Sequence, residues 1–174
     1  MKTVDDYLAE YAAYHRDRRN VAIHSAGIPL IVLALVILAS RPALHAGALT
    51  LSPAVLSLAA LAIFYLVLDR ALGAAFALAA IVMAYLGSFV AAEPTSVWLA
   101  AGIGAFAFGW VLQFIGHGFE GKKPAFLDDI TGLIIGPLFI VAEAFFAAGR
   151  KTSLKALIEA RVGPTYIRTS AAKA

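Results

Sequence analysis

WVLQFIGHGFEGKKPAFLDD, residues Trp110 to Asp129, is where an apolar run turns into polar chemistry. Gln113 and His117 lie in its last helical turns, and a glycine-rich stretch with Glu120, Lys122 and Lys123 follows. If helix persists through Gly118, His117 and Glu120 stand at i and i+3 on one face. Ionisable groups that gather where an apolar run ends mark a site at a membrane boundary.

The remainder of the chain supplies that membrane. Of 174 residues, 61% are hydrophobic and 14% charged, and the mean hydropathy is +0.84. That leaves too little polar surface to clothe a soluble globule. An all-α membrane protein is predicted, forming one integral-membrane domain over residues 1–174. There is no cysteine, so a bound metal must rest on His, carboxylate, amide or water. The net charge of +3 sits at the polar ends and suits anionic lipid head groups, not nucleic acid.

Outward from the central stretch, the spans follow from charge and length. Thr3 with Asp6 forms a capping-box pattern, and Tyr7, Tyr11, Tyr14 and His15 then share one face, predicting an amphipathic helix over 1–19. Asp5, Glu10, Arg16 and Asp17 would line its polar side. Asn20 to Ser40 carries no charge and is long enough to span. Asn20 and His24 lie one turn apart on it, whereas His15 and His24 can meet only if the chain bends between them, with Arg18 to Asn20 the expected place. A loop over 41–53 holds His45. Ala54–Leu68 and Ala71–Ala92 form a second and third span joined tightly at Asp69, and Val97–Gly116 is the fourth. These sit in a membrane bundle over 20–148 with a site loop at 116–130. Ile130–Ala148 carries Glu143 and is expected as a re-entrant or interfacial helical segment kinked at Gly136-Pro137. Ser153–Arg161 should form a short surface helix, with a mobile stretch from Gly163-Pro164 inside a basic cytoplasmic tail over 149–174.

With four spans and an inside N-terminus, thirteen of the 14 Lys and Arg fall on the cytoplasmic side and only Arg41 outside. In a bacterium this is the inner membrane. The topology then brings His15, His24, Asp69, His117, Glu120, Lys122 and Lys123 to one boundary plane, while His45 lies on the far side. Blander readings stand beside this. His15 can be an interfacial anchor, Glu120 can pair with Lys123, and Asp69 can cap a hairpin. His24 lies within a span and needs a partner, as does Glu143.

Tyr14-His15 with Asn20, His24, Gly27 and Pro29, then Gln113, Gly116, His117, Glu120, Pro124 and Ala125, then Gly136-Pro137-Leu138-Phe139 with Glu143, resembles a family of small membrane proteins, the 2-hydroxy fatty acid dioxygenases. The resemblance covers nearly the whole chain. It implies iron(II)-dependent oxidation of a 2-hydroxy fatty acid by dioxygen, giving a fatty acid one carbon shorter, with His15, His24 and His117 as candidate metal ligands. Octahedral Fe(II) has six positions. A chelating 2-hydroxy acid and dioxygen take three, leaving three for His15, His24 and His117, or for two of them with Glu120. These four are the candidate catalytic residues. Asn20, Gln113, Asp69 and Glu143 could accept the imidazole N–H groups, and Tyr11, Lys122 and Lys123 are placed on the substrate. Zinc in a membrane lipid enzyme would use the same donors, and a non-enzymatic lipid-binding or scaffold protein would use none. HExxH, paired HxxHH, GxSxG and Walker patterns are absent.

Overall fold

The computed structural model describes residues 2–46, 49–122 and 130–169. Its order is α1 (Val4–Ala12), α2 (Arg18–Ser40), β1 (Leu44–Ala46), β2 (Leu49–Leu51), α3 (Pro53–Leu68), α4 (Arg70–Ala91), α5 (Thr95–Glu120), α6 (Thr131–Ala147) and α7 (Thr152–Val162). The described architecture is therefore helical, with one short antiparallel hairpin in which His45 is opposite Thr50. That hairpin replaces the loop expected over 41–53.

Three helices are long and apolar enough to cross a membrane: α2, α4 and α5, of 23, 22 and 26 residues. The expected second span, α3, has 16 residues, about 24 Å of helix against a hydrocarbon core of about 30 Å. α6 and α7 are bent by 116° at their break, as one broken span or a re-entrant loop. At the expected kink site, Gly136-Pro137, α6 runs on without a break. The break comes after Ala147, where Arg150 N donates back to Phe145 O at 2.8 Å and Gly149 and Lys151 both have positive φ. That is a left-handed helix stop.

The chain divides into two compact units, Pro29–Trp110 and Met1–Ile28 with Val111–Ala174. In the first, Asp69 caps α4 by accepting from Ala71 N and Leu72 N at 3.0 Å. A Cβ on Gly73 would stand 2.4 Å from Leu66 N, so only glycine permits the tight α3–α4 approach. Tyr65 and Phe76 fill that seam edge to face, with centroids 4.7 Å apart. Trp98 Nε1 donates to Ile37 O at 2.9 Å, tying α5 to α2.

In the second unit, α1 opens with the anticipated capping box: Thr3 N donates to Asp6 Oδ2 at 2.9 Å and Asp6 N to Thr3 Oγ1 at 3.4 Å. It packs against α6 and α7 through Leu8, Tyr11, Phe139 and Ile158, all buried. Two expectations fail here for one reason. The first helix stops at Ala12 instead of reaching residue 19, and the stretch after Gly163 is docked, not mobile. Tyr166 N donates to Arg16 O (2.9 Å) and Arg18 N to Tyr166 O (2.8 Å), so the tail takes groups that a longer first helix would have used. Arg16 and Asp17, expected on a solvated face, are consequently buried.

Candidate metal centre

The residues between α1 and α2 position the first imidazole. Tyr14 N and His15 N make turn bonds back to Tyr11 O and Ala12 O, folding His15 over the end of α1. Its ring lies flat on Tyr11, with centroids 4.2 Å apart at 5°, and its Nδ1 is 2.8 Å from Tyr11 O. The bend that brings His15 to His24 therefore lies at 13–17, earlier than Arg18–Asn20. His24 stands nearly two turns into α2, one turn beyond Asn20, with Nδ1 3.1 Å from Asn20 O. His117 comes from the last turns of α5.

The three rings meet. His15 is 4.7 Å from His24 and 5.1 Å from His117 by centroid, His24 and His117 are 4.8 Å apart, and the Nε2 atoms of the latter two face each other at 3.3 Å. One nitrogen from each residue lies within 4.8 Å of the others. All three are buried, at 1%, 1% and 8% exposure. A carbonyl oxygen only accepts, so His15 and His24 carry their proton on Nδ1 and present a bare Nε2 lone pair. Burial holds the His15 imidazole well below its usual range, with the neighbouring His24 acting the same way. It stays neutral, as a metal ligand must. Its Nε2 has no hydrogen-bond partner among the described residues, an orphaned buried donor atom that suits an ion. Three neutral imidazole nitrogens fit Fe(II) and Zn(II) alike.

Gly116 makes this meeting possible. A Cβ there would be 2.5 Å from Asn20 Oδ1 and 2.7 Å from His24 Nδ1. In the sequence Gly116 is one residue of a motif, and nothing local shows which helix it faces.

Glu120 is close to the centre in another role. Its carboxylate accepts from Arg16 N at 3.0 and 3.1 Å, from Asp17 N at 2.8 Å and from Asn20 Nδ2 at 3.0 Å. A buried anion thus sits at the start of α2, where free amides and the helix dipole favour it. It joins the segment after His15 to the residue three beyond His117. Asp17, fully buried, does the same on the other side of the turn, accepting from Arg19 N, its guanidinium and Arg168 N. The Arg19 guanidinium holds its carboxyl well below the usual carboxylate range. Arg168 also donates to Glu120 O. No local pattern marks Asp17 or Arg168, since their partners are remote in sequence.

The other expected residues fall differently. Asn20 is buried and uses its carbonyl, not its side chain, for His24, while Tyr11 does this for His15. Gln113 is buried one turn before His117, and its Nε2 has no partner among the described residues. Asp69 belongs to the other unit and caps α4. Glu143 lines a separate cavity with Arg18, Val21 and Lys155. Lys122 is exposed and donates to Ala13 O at 2.9 Å. Lys123, Pro124 and Ala125 lie outside the described residues.

Comparison with known proteins adds an independent line. A family described as Mpo1-like, 2-hydroxy-palmitic acid dioxygenase, matches residues 1–148. The Saccharomyces cerevisiae protein named 2-hydroxy-palmitic acid dioxygenase MPO1 is 32% identical over 154 residues, covering 87% of this chain and 85% of the yeast protein. No solved structure matches.

Proposed function

Because the chain belongs to the Mpo1-like family of 2-hydroxy-palmitic acid dioxygenases, we propose that it is an iron(II)-dependent dioxygenase of fatty acid alpha-oxidation. The substrate is a 2-hydroxy fatty acid, which with one dioxygen gives the acid one carbon shorter, carbon dioxide and water. The observation that carries this reading is the meeting of three buried imidazoles from three separate segments.

His15, His24 and His117 would hold the ion, and iron(II) supplies the dioxygen-binding and electron-transfer capacity that side chains lack. The protein's own part is to keep three nitrogens neutral and aimed together. The backbone carbonyls of Tyr11 and Asn20 fix two of the tautomers, and Phe139, with Tyr11, excludes water from beside His15. Glu120 acts as an anchor for the turn, since backbone and Asn20 donors occupy both of its oxygens. Lys122, exposed beside Ala13, adds positive potential that favours approach of an anionic head group. The bilayer would hold the apolar helices, with the site and both ends of the chain on the cytoplasmic side of the inner membrane in a bacterial host.

Anaerobic purification followed by metal analysis tests this, with oxygen uptake then measured on adding 2-hydroxyhexadecanoate. Stoichiometric iron and a C15 acid are expected, and both should vanish in the His24→Ala, His117→Ala double variant. Iron that persists undiminished in that variant would refute the assignment.

A further inference from the structure

The cavity lined by Glu143 has a volume of about 580 Å³ and lies between α2 and α6, with Lys155 of α7 and Thr165 of the docked tail completing its wall. Small-molecule sites span roughly 300–1,000 Å³. α2 contributes Arg18, Val21, Ala22 and Ser25, and α6 contributes Ile140, Glu143, Ala144 and Ala147. Both sets follow the i, i+3, i+4, i+7 spacing of a single helical face, so two faces front one another across the space. Ala22, Ser25, Ala144 and Ala147 are small and exposed, which keeps the two helices from filling the cavity and leaves it open at one side.

α2 is long and apolar enough to cross a membrane and begins with Arg18, which places that residue at head-group level. Ser25 lies about 10 Å further along the helix, at the depth of lipid chains. Opposite charges line this cavity without meeting: neither Arg18 nor Glu143 makes a side-chain hydrogen bond or a direct ion pair among the described residues. Lys155 is held only loosely, 3.8 Å from Glu159. Arg16 and Lys155 attract the Glu143 charge and Glu159 repels it, but Arg16 already donates to His15 O and Gly163 O. Two cations and a carboxylate held apart, beside an apolar wall, complement a ligand that carries an anion, a nearby cation and hydrocarbon. A phosphoethanolamine lipid has that make-up. A fatty acid brings no cation for Glu143, and the quaternary ammonium of a choline lipid has no N–H to donate to it.

We propose that the α2–α6 cavity binds the head group of phosphatidylethanolamine, with the phosphate on Arg18 and Lys155, the ammonium on Glu143, and the acyl chains leaving past the exposed alanines into the bilayer. The site uses no residue of the metal centre, so it stands independently of the dioxygenase reading.

The full-length protein in detergent, stripped of lipid, is titrated with dioctanoyl phosphatidylethanolamine, phosphatidylcholine and phosphatidylglycerol, and bound lipid is counted by native mass spectrometry. The ethanolamine lipid should bind about tenfold more tightly than the other two, because its ammonium donates to a charged acceptor. Glu143→Gln should remove that preference and leave choline-lipid binding unchanged, whereas Arg18→Gln should weaken all three alike. Ala144→Phe, which fills the cavity, should also weaken all three. Equal affinity of wild type for the three lipids, or a preference that survives Glu143→Gln, overturns the proposal. Glycerophosphoethanolamine, which lacks the chains, overturns it by binding as tightly as the lipid. Displacement of the lipid by equimolar 2-hydroxyhexadecanoate overturns it too, since the cavity would then belong to the acid.

Discussion

Gly116 decides how closely two ligand-bearing segments approach. Its missing Cβ leaves the space in which Asn20 and His24 lie, and both contacts of an added methyl would fall under 3 Å. Such overpacking costs about 1–3 kcal/mol, and pushing the His24 ring off the Asn20 backbone carbonyl that orients it costs about tenfold or more in metal affinity. Gly116→Ala is therefore expected to lower both melting temperature and affinity, the latter measured by competition with a chelator. Gly118→Ala is the control, because a Cβ there meets nothing within 4 Å. That change should be neutral or stabilising by up to about 1 kcal/mol. At this scale the sequence was only half legible. Spacing put Asn20 and His24 on one face, and topology put three His on one plane. Which nitrogen each ring leaves bare depended on carbonyls at Tyr11 and Asn20 that compete with no local signal.

Among the elements, the turn between α1 and α2 does the positioning, held from outside its own sequence. Glu120 accepts its amides from one side and the 163–168 segment supplies partners from the other. Arg16 donates to Gly163 O at 2.6 Å, and Arg19 to Arg168 O at 2.8 Å. Deleting residues 163–174 removes these bonds together. Each is worth about 0.5–1.5 kcal/mol net, and freeing the tail recovers part of that as entropy. A net loss of about 2 kcal/mol is expected, with faster hydrogen exchange in peptides over 13–20, where Arg18 N loses Tyr166 O. Unchanged exchange there would show that the tail does not hold the turn. The polar side assigned to the first helix misplaced Arg16 and Asp17 for the same reason. Amphipathic pattern reports a helical face only while the helix lasts, and these two residues lie beyond its end.

For the whole molecule, charge asymmetry makes the sharpest statement. The chain lacks cysteine, so single substitutions report sidedness without background. Ser153→Cys should react with an impermeant maleimide only from the cytoplasmic side, and Ser96→Cys only from the opposite side. Arg70→Cys decides whether the 16-residue α3 crosses, since a full crossing places that turn with Ser153. Composition by itself pointed to a membrane environment, because apolar surface on such a scale is poorly matched to water. Hydrophobic run lengths located three helices long and apolar enough to cross, α2, α4 and α5, and the paired His blocks pointed to the family. Tertiary structure alone decided that three imidazoles share one centre, that Glu120 anchors amides, and that the tail is docked. Those outcomes turn on groups as many as about 150 residues apart, such as Arg19 and Arg168. Their attraction is expressed only once burial removes competing water, which no local spacing records.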